Sequence, residues 1–277
     1  MNMWKECKSL QEELVKTRRD LHQIPEFGFD LPKTQAYVIR ILEELEIPYK
    51  CSSKDSGIIA EIKGEKPGKT VALRADMDAL KIQEENDVDY KSIHDGFMHA
   101  CGHDTHITML LGAAKILNQH KEDLQGTVRL LFQTAEELAK GSQVMIEEGG
   151  MDNVDAVFGQ HIGSIMNKDI PSGKVIIVPG CCMASYDRFS IKVNGHGCHG
   201  STPEKGIDPV NIASHIVIAL QEIIAREVSA VKPAVITIGM IHGGVRPNMV
   251  PDYCEAVLDV RLPIGVDEQE IRDCVDN

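Results

Sequence analysis

Hydrophobic and polar residues in the first part of the chain follow helical and extended patterns in turn. Apolar residues recur at helical spacing over 8–24, and a second helix is predicted over 32–45, with Asp30 as its N-cap. Short apolar runs then alternate with helical patterns, which predicts strands at 57–62, 70–74, 127–134 and 155–162 and helices at 105–117 and 141–149. Because strands alternate with helices, we expect an α/β domain with a largely parallel sheet.

A different pattern begins at about residue 183. Residues 186–195 alternate between polar and apolar, as in a strand with one face exposed to solvent. The pattern then predicts a helix over 208–228, strands at 234–241 and 253–262, and a new helix near Asp267. This β-α-β-β-α order is typical of a small split βαβ sandwich of the ferredoxin-like kind. We therefore predict two domains, 1–184 and 185–277.

Charge and composition narrow the possible partners. The chain has 277 residues and a formal net charge of −13 at pH 7. An acidic surface repels phosphate groups, which argues against nucleic acid or an anionic membrane as the main partner. No apolar run approaches the roughly 18 residues that span a bilayer, and we identify no secretory segment. The eight cysteines show no disulfide-framework spacing, so we expect reduced thiols in a cytoplasmic protein.

Three histidines and one cysteine lie close together in the segment 99–106. A lone histidine is more often a hydrogen-bonded or solvated side chain than a metal ligand. His99, Cys101, His103 and His106, however, fall within eight residues at a predicted helix start. Thiolate and imidazole are ligands that zinc and related metals prefer, and Cys-x-His places two of them on one turn. Asp104 is then available to cap the helix or to orient an imidazole.

Two adjacent glutamates and a further histidine follow predicted strands. Such a glutamate pair usually lies in a solvated loop, but Glu136 and Glu137 come directly after the predicted strand 127–134. Ligands collect at this edge of an α/β sheet. One carboxylate could bind a metal while the other acts as a general base, the combination that metal-assisted hydrolysis requires. His161 stands in the corresponding position at the end of another predicted strand and could complete the site.

Two other interpretations are weaker. The segment 65–70 resembles a phosphate-binding loop, but that motif needs glycine at the position of Lys63 and a helix afterwards. Cys101 could be a nucleophile with His103 as its base. Their spacing on one tight turn is poor for that purpose, and the two glutamates would be left unexplained.

These segments resemble the metal-dependent N-acyl-amino-acid amidohydrolases, the branch of the aminoacylase/carboxypeptidase superfamily that includes hippurate and auxin-conjugate hydrolases. The matching segments cover nearly the whole chain: RRDLHQIPEFGF (18–29), RADMDAL (74–80), MHACGHDTHITMLLGAAKIL (98–117), LLFQTAEE (130–137), GQHIG (159–163), GCHGSTPEKGIDPV (197–210) and PNMVP (247–251). The combination of MHACGHDTH with a later AEE is highly specific.

The resemblance implies a role for each matching residue. It places the metal ligands at Cys101, His103, Glu137 and His161 and the general base at Glu136. The ligands would hold two divalent metal ions, for which zinc, manganese, cobalt and nickel all suit the donors. The expected reaction is hydrolysis of the amide bond of an N-acyl amino acid, a small-molecule substrate.

The resemblance also assigns the second domain as a lid and dimerisation module, so we expect a homodimer. His199 would stabilise the oxyanion and bind substrate together with Asn248, while Asp76 and Asp78 would support the ligands. The rival enzymatic reading is a dipeptidase or carboxypeptidase of the same superfamily. The rival from another class is a chain that folds and dimerises without catalysing a reaction.

The sequence departs from the family pattern at three places. Lys81 stands where proline is usual, and Glu204 replaces a frequent histidine. The family's chain also continues beyond the position of Asn277 and supplies a last histidine ligand. We therefore expect a C-terminally truncated fragment that, made alone, binds metal weakly, self-associates and hydrolyses N-acyl amino acids at no useful rate.

Overall fold

The computed structural model describes residues 3–163, 171–177, 179–180, 183–229 and 234–262. The helix predicted near Asp267 lies outside these residues. The chain divides into two compact units, Met1–Ser172 and Gly173–Asn277. The predicted boundary falls twelve residues later, after residue 184, and the catalytic and lid roles assigned to the two parts stay predictions.

The described helices of the first unit are α1 (Met3–Ser9), α2 (Gln11–His22), α3 (Pro32–Glu44), α4 (His103–Gln119) and α5 (Gly141–Glu147). The helix predicted over 8–24 is confirmed as α2, but it begins later than predicted, because the helical pattern breaks at Leu10 between α1 and α2. At this break the Ser9 hydroxyl donates to the Glu6 carbonyl (2.7 Å). Such a side-chain bond competes with the helical ladder.

The sheet of this unit is mixed rather than largely parallel. Its strands are β1 (Tyr49–Cys51), β2 (Ile58–Lys63), β3 (Lys66–Asp76), β4 (Gln125–Gln133) and β5 (Ala156–Gly159), in the order β1-β2-β4-β3-β5. β4 and β5 run parallel to β3, whereas β2 runs antiparallel to β1 and β4. Only residues 64–65 join β2 to β3, too few for the crossover that parallel strands need. The short link therefore reverses the chain.

The parallel strands place their carboxyl ends at one edge of the sheet. Asp76 at the end of β3 pairs with Gln133 at the end of β4, and Arg74 pairs with Gly159 at the end of β5. The core packs helices against this sheet through fully buried side chains that include Phe132 and Ile107. Residues that follow β3, β4 and β5 are thereby brought to one edge.

Two predicted helix caps are wrong. α3 begins at Pro32, and Asp30 is exposed; the Glu26 carboxylate instead accepts the backbone N–H groups of Lys33 (3.1 Å) and Thr34 (2.9 Å). Proline has no N–H, so these are the first donors that need an acceptor. Likewise, α4 begins at His103, which places Asp104 inside the first turn.

The described residues of the second unit form a three-stranded antiparallel sheet, a two-stranded pair and a long helix. The described elements are β6 (Asp187–Asn194), β7 (Cys198–His199), α6 (Pro209–Glu222) with a π-helical end (Ile223–Glu227), β8 (Val235–Gly243), β9 (Met249–Val250) and β10 (Tyr253–Arg261). The sheet order is β6-β10-β8, and β7 pairs with β9. The predicted strands and the helix introduced by Asp208 are confirmed; its carboxylate accepts the N–H groups of Val210 and Asn211.

In the part of the chain that the structure describes, no helix combines the length and apolarity needed to cross a membrane.

Candidate metal centre

A tight turn brings Cys101 and His103 together. Gly102 between them has φ of +89°, a conformation that side chains disfavour. A Cβ atom there would lie only 2.6 Å from Cδ1 of Ile162. Glycine therefore allows the tight turn immediately before α4. The turn brings the Cys101 thiol and the His103 imidazole within 4.8 Å of each other.

One group of possible metal ligands consists of Cys101, His103 and His161, whose ligand atoms all lie within 4.8 Å of one another. Cys101 Sγ is 3.2 Å from His161 Nε2. His161 Nδ1 donates to the carbonyl of Ile162 (2.5 Å), which leaves a lone pair on Nε2. Metal-binding histidines are commonly oriented in this way by a bond from the other ring nitrogen. His161 lies two residues beyond the end of β5, not within the strand as predicted.

A second group consists of His103, Glu136 and Glu137. His103 Nε2 is 3.8 Å from a carboxylate oxygen of each glutamate. The backbone N–H groups of Glu136 and Glu137 donate to the two carboxylate oxygens of Asp78, at 3.0 and 3.1 Å. Asp78 thus anchors residues 136–137, which we call the glutamate loop. His103 belongs to both of these ligand groups.

Buried nitrogen and oxygen atoms of His103 and Glu137 lack hydrogen-bond partners and are suited to bind a cation. Both ring nitrogens of His103 and Oε1 of Glu137 are buried without a hydrogen-bond partner among the described residues. A buried polar atom left unpaired costs about 1–3 kcal/mol. Burial also raises the pKa of Glu137 above its usual value, since a buried carboxylate lacks solvation. Sulfur, nitrogen and oxygen donors together suit a divalent transition metal.

A third group of possible ligands consists of Asp76, His103 and His106, all of them buried. In this group Asp76 and His106 already use their polar atoms in hydrogen bonds. His106 Nδ1 donates to Asp76 (2.6 Å), and His106 Nε2 accepts the N–H of Ile162 (2.9 Å). The other carboxylate oxygen of Asp76 accepts from Arg74 (2.7 Å). Burial opposes the charge of Asp76, but the His106 bond and nearby positive charges lower its pKa. Asp76 and His106 therefore serve as supports.

His99, the first histidine of the motif, takes no part in these ligand groups of the described residues. It is buried, and both of its ring nitrogens lack a hydrogen-bond partner there. Burial lowers its pKa to about 4, so the ring is neutral.

Anionic neighbours dominate the electrostatics of His103. Burial alone would lower its pKa, but the nearby Asp78 carboxylate, 3.5 Å from Nδ1, together with Cys101 and the charge of Asp76, raises it to about 11. The pocket therefore favours positive charge at this position. A proton supplies that charge in the absence of a metal ion, and a bound cation would displace it.

This competition predicts how metal affinity depends on pH. Between about pH 6 and 9, below the pKa of His103, the apparent affinity for Zn²⁺ should rise at least about tenfold per pH unit. The ion that binds His103 should displace its proton, so proton competition weakens as pH rises. Calorimetric titration in two buffers of different ionisation enthalpy measures both the affinity and the protons released. A pH-independent affinity would contradict this account.

His199 and Asn248 lie beside each other in the second unit. His199 in β7 pairs with Met249 in β9, and the N–H of Gly200 donates to the Asn248 carbonyl (2.8 Å). His199 is exposed, and its Nδ1 accepts the N–H of Ser201 (3.2 Å). The ring proton of neutral His199 is therefore on Nε2. Whether these residues act together with Glu136 stays a prediction.

Sequence reasoning missed three residues near this site. Arg18, His22 and Glu84 form a network of charged side chains with Asp104, which follows His103 directly, and all of these except Arg18 are buried. The available signal was the spacing of Arg18 and His22, which lie four residues apart and so share one helical face. That spacing gives no indication of the partner.

Comparison with known proteins identifies the family. Residues 72–251 match the model described as peptidase family M20/M25/M40. This chain belongs to that family. The resemblance inferred from the motifs is thereby confirmed. The possible metal ligands among the described residues come from the same motifs, the segments 98–117, 130–137 and 159–163 and the residue Asp76.

Individual M20/M25/M40 relatives differ in their named activities. N-acetyl-L-cysteine deacetylase of Bacillus subtilis is 42% identical over 245 residues, 88% of this chain and 58% of that protein. Thermostable carboxypeptidase 2 of Saccharolobus solfataricus is 43% identical over 253 residues, 90% of this chain and 63% of that protein. The chain thus spans about three-fifths of the length of these relatives.

A solved structure supports the mixed α/β fold. The YXEP protein of Bacillus subtilis, described as a dinuclear metal-binding peptidase of the M20 family, is 38% identical. Its structure superposes on this chain with a TM-score of 0.75, covering 97% of this chain and 67% of the other.

Proposed function

We propose that this chain carries the metal site of an enzyme that hydrolyses the amide bond of N-acyl amino acids, releasing a carboxylic acid and an amino acid. The main support is the pair of ligand groups that share His103 beside a more exposed carboxylate, Glu136. The similarity to an N-acetyl-L-cysteine deacetylase adds support for this type of substrate.

Four side chains would hold two divalent metal ions: Cys101, His103, Glu137 and His161. Such ions polarise the substrate carbonyl and lower the pKa of water. Glu137 suits the role of ligand because its carboxylate is 17% exposed and carries an unpaired buried oxygen. Zinc, manganese, cobalt and nickel all accept this donor set.

Glu136 suits the role of general base because its side chain is 38% exposed and can meet both water and substrate. It would take a proton from the attacking water as the water oxygen bonds to the amide carbon. It would then deliver that proton to the leaving nitrogen as the carbon–nitrogen bond breaks. The products are a carboxylic acid and a free amino acid.

His199 would donate a hydrogen bond to the oxyanion, and Asn248 would help hold the substrate. The support for His199 is its tautomer, since the bond from Ser201 to Nδ1 leaves the proton on Nε2. A donor of this kind acts on negative charge that develops in the transition state.

Replacing His199 should therefore impair turnover more than binding. We expect His199→Ala to lower kcat by ~10²–10³ with little change in KM, the range for one oxyanion donor. His215→Ala, which removes another exposed histidine of the same unit, should leave both constants unchanged. Steady-state kinetics on N-acyl amino acids measure the difference. Equal kcat values for the two variants would contradict the assignment.

A substrate comparison tests the proposed function. The gene product that contains this chain, reconstituted with each candidate metal, should hydrolyse N-acetyl amino acids faster than dipeptides with a free amino group. The 277-residue chain should be assayed beside it. Preference for free peptides would favour a carboxypeptidase or dipeptidase, the second candidate, which the carboxypeptidase relative supports. Metal binding without hydrolysis of either class would favour a non-catalytic chain.

A homodimer and a cytoplasmic location complete the proposal. Light scattering of the gene product tests the first, and fractionation of the source cells tests the second.

A further inference from the structure

A buried charged network lies beside the metal-ligand groups and is centred on His22, the last residue of α2. His22 Nδ1 is 2.7 Å from Asp104 Oδ2, and His22 Nε2 is 3.1 Å from Glu84 Oε1. The side chains of Asp104 and Glu84 are 0% exposed. Arg18 Nε lies 3.0 Å from the same Asp104 oxygen. Two carboxylates and an imidazole are thus buried, and the guanidinium beside them is partly exposed.

The network is satisfied when His22 carries two protons. Each ring nitrogen faces a carboxylate oxygen, so both can donate to a carboxylate only in the imidazolium form. Nδ1 also lies 3.3 Å from Arg18 Nη2, a longer contact whose positive charge opposes this form. Burial opposes this charge, but the bonds to Asp104 and Glu84 raise the pKa of His22. With Arg18, the four groups then carry two positive and two negative charges.

The bond from His22 to Asp104 crosses from α2 to the first turn of α4. Asp104 directly follows His103, the residue common to both ligand groups. The residues joined are 82 positions apart in the chain. Asp104 is not a helix cap. Its carboxylate oxygen Oδ2 instead contacts His22 and Arg18.

The segment after His22 hydrogen-bonds to two further segments of the site, those that contain Asp78 and Glu136. The Glu26 carbonyl accepts the N–H of Ala79, next to Asp78, at 2.7 Å. The Gly28 carbonyl accepts the N–H of Ala135, next to Glu136, at 2.9 Å. Residues 22–28 therefore contact three of the segments that carry or support the metal ligands, those around Asp104, Asp78 and Glu136. They also precede the part of the chain that matches the family model, 72–251.

We propose that His22 is a positioning residue of the metal centre, which fixes Asp104 and through it the placement of Cys101 and His103. The inference rests on the proposed metal site but not on the identity of the substrate. Partners that orient metal ligands typically alter metal affinity about 10–100-fold when they are replaced. The bond to Asp104 matters for this role, whereas the bond to Glu84 neutralises buried charge.

Two conservative variants separate these bonds. In His22→Asn the amide nitrogen takes the place of Nδ1 and can still donate to Asp104. In His22→Gln it takes the place of Nε2 and can still donate to Glu84. Each variant leaves one buried carboxylate without its imidazole partner, so both should lower the thermal stability of the metal-free chain to a similar degree.

The readout is Co²⁺ binding to the 277-residue chain, followed by the thiolate-to-cobalt absorption that Cys101 supplies. We expect His22→Gln to weaken Co²⁺ binding ~10–100-fold and to reduce this absorption, while His22→Asn stays close to the unchanged chain. His120→Ala is the matched control. It removes another histidine–carboxylate bond to α4, from His120 to Glu6 (2.7 Å), but at the far end, about 25 Å from His103 along the helix. Its Co²⁺ affinity should not change.

Equal Co²⁺ affinities for His22→Gln and His22→Asn would overturn the inference, because a merely structural role affects both variants alike. So would a loss of affinity in His120→Ala, or an unchanged chain that binds no Co²⁺. Failure of the proposed function gives a different result: the Co²⁺ affinities of the 277-residue variants follow the expected order, but the gene product that contains this chain hydrolyses neither N-acyl amino acids nor peptides.

Discussion

Glu136→Gln is expected to lower turnover by ~10²–10⁴ and to leave the amount of bound metal nearly unchanged. The amide has the size of the carboxylate but cannot take a proton from water. Glu136 is also the more exposed of the two glutamates, so its replacement removes little from the ligand groups. Metal analysis of the purified variant, together with kcat on N-acyl amino acids, measures both effects.

Glu137→Gln serves as the matched control, because it makes the same chemical change one residue away. Its carboxylate is more buried and has an oxygen without a partner among the described residues. We expect this variant to lose bound metal, with activity falling in proportion. If both variants lost metal equally and activity followed metal content, the division of roles would be wrong.

Asp78→Ala is expected to lower the free energy of unfolding of the metal-free chain by about 3 kcal/mol or more, since each hydrogen bond to a charged group contributes about 1.5–3 kcal/mol. Asp78 is fully buried, and its two oxygens accept the backbone N–H groups of Glu136 and Glu137. Without Asp78 the glutamate loop loses its anchor, so bound metal should fall as well. Denaturant unfolding and metal analysis measure these effects.

Asp155→Ala provides the comparison for Asp78. Asp155 is exposed, and it accepts one backbone N–H, that of Thr70, at 2.8 Å. We expect a loss of about 1 kcal/mol or less and unchanged metal content. An unfolding free energy for Asp78→Ala equal to that of Asp155→Ala would show that the glutamate loop does not depend on the buried carboxylate.

The role of Asp76 and His106 shows why proximity alone does not identify a ligand. Both lie with His103 in a group that could bind a metal, and both are as buried as His103. Their polar atoms already have partners in Arg74, Ile162 and each other. His103 has unpaired ring nitrogens instead. Hydrogen-bond satisfaction therefore separates supporting residues from candidate ligands.

The sequence by itself determined the elements of the fold and the composition of the site. Apolar periodicity located α3, α4, α6 and most strands to within a few residues, because it records which face of a local segment is buried. The metal motif in the segment 99–106 could also be identified from the sequence, because its candidate ligands are near neighbours along the chain. Gly102 and the two residues beside it form one turn, so their relation is local.

Tertiary structure decided which strands are neighbours, which glutamate is more buried, and what Asp104 binds. The largely parallel sheet was wrong because periodicity shows a buried face but not the direction of the adjacent strand. The local apolar pattern does not distinguish Glu136 from Glu137, and both backbone N–H groups donate to Asp78. The tertiary structure makes the two side chains different by burying Glu137 more deeply. The His22–Asp104 bond joins residues 82 positions apart. Such contacts form only when separate elements pack together, and no local pattern encodes them.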